Sequence, residues 1–385
     1  MNSEKKYVIL HVITGLSTGG AETMLYRLLA QTNRVRFEPV VISLIDKGNM
    51  LGDRIEALDI PVYTIGMRAG VPTFKAFQEL ARLVRQIKPQ LIQGWMYHGN
   101  LAASLASWFY FSKKFVFWSI HHSINSLKSE KSSTIKIIKL GAYLSRLTAK
   151  IAFVSQASKT QHELLGYDQS RCLVIPNGFD TSIFSPSYEA RLSVREELKI
   201  APTSILIGLV CRYHPMKDHA NFIQAAGLLL EKQPDVHFLL AGTGVSQTNQ
   251  DLLDIIENGN ISNNIHLLGE RRDTPRLIAS LDIMSLSSAY GEAFPLVVGE
   301  AMSCGVPCVV TDVGDSAWVV SDTGRVVPPK DSAALAKAWK DLIGLGLDRR
   351  ILLGTDARNR ILDLFSLESV VRQYEAMYES VLDKK

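Results

Sequence analysis

The chain has 385 residues, 46% hydrophobic and 21% charged. That length and balance suit two or three domains with more than one sizeable core and exclude a disordered tail protein, a collagen-like fibre and a disulfide-stapled miniprotein. Forty-two Lys and Arg against 38 Asp and Glu leave a net charge of only +4, too little for a dedicated nucleic-acid binder. The charge is uneven, with +10 over residues 1–180 and −6 over the rest, which points to two domains with different partners.

Taken in chain order, short apolar runs alternate with helical patterns. Residues 7–13 (YVILHVI) read as a buried strand, too short and too polar at His11 for a signal peptide. Gly15, Gly19 and Gly20 follow, then a helix over 21–31 and a strand over 40–44. Helices are predicted over 54–58 and 73–87. The second is amphipathic through Phe74, Phe77, Leu80, Ala81, Val84 and Ile87, and Pro89 ends it. Strands are predicted at 91–93, 115–118 and 150–154. The apolar run 101–111 is well short of the ~20 residues a membrane span needs. After a turn-rich stretch over 176–186 the pattern restarts. Strands are predicted at 205–210, 236–241, 265–268, 282–287 and 307–311, with a helix over 219–231 and a last one over 368–382. Strands alternating with helices predict an α/β fold built on parallel sheets covered on both faces. The four cysteines lack disulfide or zinc spacing and read as small buried hydrophobes of a reducing, cytoplasmic protein.

Ligands of such folds bind beyond the carboxyl ends of the strands, and the candidate motifs lie there. Gly19-Gly20-Ala21-Glu22 opens a helix after the first strand. It can serve as a phosphate-approaching loop or as a plain tight turn, and it is neither a dinucleotide fingerprint nor a P-loop. His121 and His122 follow the strand at 115–120, as structural residues or as polar contacts to a sugar. Arg212 and Lys217, in Arg-Tyr-His-Pro-Met-Lys, follow the strand at 205–210 and suit a diphosphate, or are solvated surface charges. Glu292 and Glu300 bracket Ala293-Phe294-Pro295-Leu296-Val297-Val298-Gly299. Pro295 suits the first helical position, which would place Glu292 in the loop before the helix and Glu300 inside it as a buried acid in need of partners. No Asp-x-Asp occurs, so a metal bridging a diphosphate to paired carboxylates is not expected, and no cofactor is implied.

The stretches 288–295 (SAYGEAFP) and 300–307 (EAMSCGVP) resemble the retaining glycosyltransferases of family 4, which have the GT-B fold of two facing Rossmann-like domains. The Glu292/Glu300 pair, the Arg212/Lys217 pair, Asn177-Gly178-Phe179-Asp180, the glycines at 19–20 and His121 match its motifs in order along nearly the whole chain. Ala293 and Pro295 stand where many members have glycine, and Asp315 where a second glycine is frequent. The resemblance implies an N-terminal acceptor-binding domain over 1–182, a nucleotide-sugar domain over 183–366, and a last helix, 367–385, returning to the first domain. It also implies a nucleoside diphosphate sugar, a UDP-sugar, held by Gly19, Gly20, Arg212, Lys217, Gly242, Arg271, Glu292, Ala293, Phe294, Pro295, Leu296 and Glu300. His121, Glu292, Arg212 and Lys217 would act in catalysis. The alternatives sharing the fold are a sugar-nucleotide epimerase and a non-catalytic nucleotide-sugar binder.

Residues 112–150 hold eight Lys or Arg and one acid, with Ile135, Ile138, Tyr143, Leu144 and Leu147 interleaving Lys136, Lys139, Arg146 and Lys150. Such a helix either lies on an anionic bilayer or buries its apolar face. With the resemblance, this implies a lipid-linked saccharide acceptor in bacterial surface polysaccharide synthesis, reached from the inner face of the cytoplasmic membrane.

Overall fold

The computed structural model describes residues 6–17, 19–48, 51–68, 73–109, 115–124, 131–259 and 261–382. The chain forms two compact units, Met1–Gly178 with Leu367–Lys385, and Phe179–Ser366.

The first unit carries seven strands: β1 (Tyr7–Ile13), β2 (Phe37–Ser43), β3 (Val62–Thr64), β4 (Leu91–Trp95), β5 (Phe115–Ile120), β6 (Lys150–Phe153) and β7 (Cys172–Val174). All pair in parallel, in the order β3-β2-β1-β4-β5-β6-β7. Side chains alternate across a strand, so Ile9 and Ile13 enter one apolar layer while Leu10 and Val12 enter the other. Helices cover both layers, which is why the strands read as near-continuous apolar runs. One cover is the final helix, Leu367–Leu382, whose stripe of Val370, Val371, Tyr374, Met377 and Tyr378 is buried in this unit. Polar bonds fix it as well as packing. The Tyr378 hydroxyl donates to Gln93 Oε1 on β4, and Gln93 Nε2 donates to Ser119 Oγ on β5 at 2.7 Å.

The second unit carries β8 (Ile205–Val210), β9 (Val236–Ala241), β10 (Ile265–Leu267), β11 (Ile283–Leu286), β12 (Cys308–Thr311) and β13 (Arg325–Val327). These are again all parallel, ordered β10-β9-β8-β11-β12-β13. One face buries Ile207, Leu209, Phe238, Leu240 and Val309 against Phe222, Leu335 and Trp339.

In each sheet the strand order reverses once, between β1 and β4 and between β8 and β11. Chains leaving two adjacent strands at such a point turn to opposite faces and open a crevice at the carboxyl ends, where α/β proteins bind ligands. The predicted strands are present with ends shifted by up to three residues. The three-residue strands β3, β7 and β13 are not among those expected, nor are the helices Met96–Trp108, Gln156–Leu164, Tyr188–Leu198, Ser332–Gly344 and Leu347–Arg360.

Candidate functional site

In the second unit, the loops after β8 and β11 flank the reversal. They are tied together by backbone and side chain: Ala289 N–H donates to the Met216 carbonyl (2.8 Å), and Ser287 Oγ donates to the Lys217 carbonyl (2.8 Å). Lys217 ends the 3-10 turn Pro215–Lys217, and Asp218 then caps the next helix in the left-handed region, φ 49°. This brings Lys217 Nζ onto Glu292 Oε1 as an ion pair, although the two are 75 residues apart in the chain. Both side chains are largely buried, at 14% and 8% exposure. Ser288 Oγ donates to the same carboxylate oxygen at 2.5 Å. The buried acid of this motif is Glu292 and not Glu300, which was expected to be; Glu300 is only half-buried.

The loop holding Glu292 is clamped from the side of β12. Gly314 adopts φ +58°, and a Cβ there would lie 2.1 Å from the Glu292 carbonyl oxygen. Asp315 N–H donates to the Ala293 carbonyl at 3.2 Å. Phe294 is buried, its ring 5.9 Å from that of Phe179, so only its backbone is left to meet a ligand. The following helix is Leu296–Ser303; Pro295 is its N-cap and not its first helical residue. Proline has no side-chain acceptor, so no side-chain cap covers the first-turn N–H groups, and the Pro295 carbonyl accepts only from Val298 N–H, at 3.2 Å. Arg212 is exposed on the β8 loop. Gly242, after β9, lies under that loop at φ +148°, where a Cβ would come within 2.1 Å of the Cys211 carbonyl oxygen.

Arg271 is placed differently from the expectation of a nucleotide contact. Its guanidinium is shared between Asp273 (2.8 Å) and Glu197 (2.7 Å), and Arg276 binds the same two carboxylates. Those bonds push Arg271 above its usual range and hold Asp273 well below the usual carboxylate range. This four-membered network already satisfies Arg271.

In the first unit, Gly19 is the N-cap of helix Gly20–Gln31. The Glu22 carboxylate folds back over it, with Oε2 2.2 Å from where a Gly19 Cβ would stand, and burial raises its pKa. A helix N-terminus covered by its own carboxylate is already capped, whereas the space beside Gly20 is open. Thr18 lies outside the described residues.

His121 leaves the end of β5 with its ring stacked on Trp95 (5.3 Å between centroids, 23°). Burial lowers its pKa to about 4, so the imidazole is neutral at physiological pH. His122 joins a buried hub in which the Tyr97 hydroxyl lies 3.1 Å from His122 Nδ1 and 2.9 Å from His162 Nε2. His162 Nδ1 lies 2.7 Å from the Ser158 carbonyl, which can only accept. Burial keeps His162 neutral, its pKa near 4, so its proton sits on Nδ1, Nε2 accepts from Tyr97, and Tyr97 in turn accepts from His122. The hub is a self-satisfied structural element, the bland reading for His122.

The helix Ser132–Leu144 buries Ile138 and leaves Lys136, Lys139, Leu140 and Tyr143 exposed. Residues 110–114 and 125–130, part of the predicted basic segment, lie outside the described residues. Among the described residues no helix is long and apolar enough to cross a membrane.

Comparison with known proteins agrees with this layout. The model of Glycosyltransferase Family 4 matches residues 18–183, and that of Glycosyl transferases group 1 matches 204–344. An Escherichia coli UDP-Gal:alpha-D-GlcNAc-diphosphoundecaprenol alpha-1,3-galactosyltransferase is 24% identical over 68% of this chain and 68% of its own. A phosphatidyl-myo-inositol mannosyltransferase of Mycolicibacterium smegmatis is 29% identical over 65% of this chain and 62% of its own. The structure of HepE from Anabaena in complex with UDP superposes with a TM-score of 0.82 at 22% identity, covering 98% of this chain and all of that one. That likeness establishes the GT-B fold.

Proposed function

Because the chain belongs to the family 4, group 1 glycosyltransferases, we propose that it moves a sugar from a UDP-sugar to a hydroxyl of a polyprenyl-diphosphate-linked saccharide, with retention of configuration and without a metal. The observation that carries this reading is the loop cluster after β8 and β11, which holds Lys217 against Glu292, carries Arg212 exposed on its β8 side and leads into helix Leu296–Ser303, which has no side-chain cap. A nucleoside diphosphate placed there meets a guanidinium fork, an ammonium and helix N–H donors, which together match two phosphates. As the sugar–phosphate bond breaks, negative charge grows on the departing diphosphate, and these preorganised groups stabilise it without solvent reorganisation. Lys217, turning from Glu292 toward the phosphates, releases a carboxylate that can accept sugar hydroxyls. Glu300 takes the ribose hydroxyls and His121 a hydroxyl of the transferred sugar. The acceptor hydroxyl attacks the anomeric carbon on the face that the diphosphate leaves, and its proton passes to the departing phosphate oxygen.

Two relatives named for lipid-linked acceptors support a lipid-linked acceptor here, and a UDP complex of a like fold supports the uridine base. A surface on the first unit fits that acceptor. Leu105, Trp108, Leu140 and Leu147 are exposed around a groove of about 250 Å³, with Tyr143, Lys131, Lys136, Lys139 and Arg146 exposed on the neighbouring segment. We read it as the face that rests on the cytoplasmic side of an anionic membrane. The test is transfer from radiolabelled UDP-sugars with and without a polyprenyl-diphosphate saccharide, with EDTA present, and assignment of the product's anomeric configuration by NMR. Acceptor-dependent labelling with retained configuration is expected. Inversion, EDTA sensitivity or labelling of water-soluble sugars alone would contradict the reading. Replacing Lys131, Lys136 and Lys139 with Glu should release the protein from anionic vesicles.

A further inference from the structure

His121 sits in a cradle that fixes its ring from several sides. Trp95 stacks on one face, and its own position is set by an indole N–H donated to His11 Nδ1 (3.2 Å) and by stacking on Tyr374 of the final helix (6.0 Å, 26°). The His121 backbone N–H points at Met96 Sδ, 3.3 Å away. Met96 is a non-glycine residue at φ 61°, where β4 passes into helix Met96–Trp108 with no intervening loop. Left-handed backbone at an unbranched apolar residue is strained and persists where the surroundings over-determine it, often beside a functional group.

Two polar atoms in this cradle lack hydrogen-bond partners among the described residues: His121 Nδ1 and Asn177 Oδ1, both sealed from solvent. Asn177 is 6% exposed and its carboxamide faces the His121 ring. A buried polar atom left unpaired is costly, and these two are complementary only if Nδ1 carries the proton. Trp95 and Asn177 at the ring and Met96 at the backbone N–H are uncharged. His11, behind Trp95, is held neutral with a pKa near 3, and the Nδ1 of the adjacent His122 is engaged by Tyr97.

We propose that Asn177 is a positioning residue whose Oδ1 accepts the His121 Nδ1 proton, fixing the imidazole as the Nδ1–H tautomer and presenting the Nε2 lone pair as an acceptor for a hydroxyl of the transferred sugar. The tautomer follows from the cradle alone; its effect on transfer rests on the reading of His121 as a sugar contact. It explains why an asparagine, 56 residues downstream, is buried beside the ring just before the chain crosses to the second unit at Phe179.

The test is side-chain 15N NMR of the full chain at pH 7, with the His121 signals assigned through His121→Gln. The wild type is expected to show a protonated Nδ1 and an unprotonated Nε2. Asn177→Leu should mix the tautomers, and the isosteric Asn177→Asp should protonate both nitrogens, because a carboxylate stabilises the imidazolium. In transfer assays Asn177→Leu should lower kcat/KM for the UDP-sugar about tenfold, the equivalent of one lost hydrogen bond, with UDP affinity unchanged. A wild-type Nε2–H tautomer, which needs no variant to observe, overturns the proposal, as does an unchanged His121 spectrum in both Asn177 variants. If the spectra shift as expected while Asn177→Leu and His121→Gln both keep full transfer rates, the tautomer assignment stands and the reading of His121 as a sugar contact falls.

Discussion

Replacing Lys217 with Met probes the pair on which the second unit's crevice is built. Lys217 Nζ and Glu292 Oε1 are in contact, and the side chains keep only 14% and 8% of their exposure. Removing one partner of a buried pair leaves the other charge desolvated, at about 3–5 kcal/mol. Ser288 Oγ still donates to Glu292, and Lys217 retains some solvent, so the low end, about 3 kcal/mol, is expected. In a unit of this size each kcal/mol moves the melting temperature by about 2–4 °C, so Lys217→Met should lower the transition of Phe179–Ser366 by roughly 6–12 °C in scanning calorimetry. Glu292→Gln should cost a similar amount. The double variant buries no charge and should recover much of the loss, leaving a coupling of about 2 kcal/mol or more in the cycle. Saturating nucleotide should shrink the loss in Glu292→Gln, since a diphosphate gives Lys217 a new anion. Single variants that melt within 2 °C of the wild type, or losses that simply add, would show that the pair is not formed in solution and would refute the reasoning.

Arg212→Ala should leave the melting temperature within about 1 °C, because the side chain is exposed, yet lower turnover at least about tenfold in steady-state kinetics; an unchanged rate would remove Arg212 from the diphosphate site. Gly314→Ala forces a left-handed backbone and a Cβ onto the Glu292 carbonyl, so calorimetry should show a loss of about 2 kcal/mol or more together with weakened donor binding, and a neutral result would contradict the clamp. Acid should destabilise the fold below pH 6.5: His11 (near 3) and His121, His162 and His219 (each near 4) stay neutral when folded but take up a proton near 6.5 when unfolded. The unfolded chain then binds more protons, so the melting temperature should fall steadily from pH 6.5 to 4, and a flat profile over that range would contradict their burial.

The legible parts of this fold are those whose signal is local. Seven-residue β1 and the helix Phe74–Ile87 announce themselves by run length and period, and Thr73 caps the latter by accepting from Ala76 N–H at 3.2 Å. Strands β3, β7 and β13 are three residues long, too short for any period to register, whereas β10, equally short, reads through because Leu268 extends its apolar run. The helix Met96–Trp108 hides because it starts directly after β4, whose last residue, Trp95, is its N-cap, with no loop and no polar cap to mark it. Pro295 stands one position earlier than its propensity suggests, as the N-cap. The site motifs were visible as residue types at strand ends, but their pairings were not. Lys217 with Glu292, Arg271 with Glu197 and Asn177 beside His121 each join residues more than fifty positions apart, and nothing in the local spacing encodes which cation meets which acid. That is also why the carboxylate partners of Arg271 were not legible, and why Glu300 read as the buried acid when Glu292 is.

The central claim is that a nucleoside diphosphate seats on the second unit between β8 and β11. Amide hydrogen exchange of the intact protein with and without saturating UDP, and with GDP and ADP as comparisons, tests it directly. Protection by UDP concentrated in peptides covering 211–217 and 288–300, and lost in Arg212→Ala, is the predicted result. No protection there with any of the three nucleotides, or protection confined to the first unit around 15–22, would contradict it.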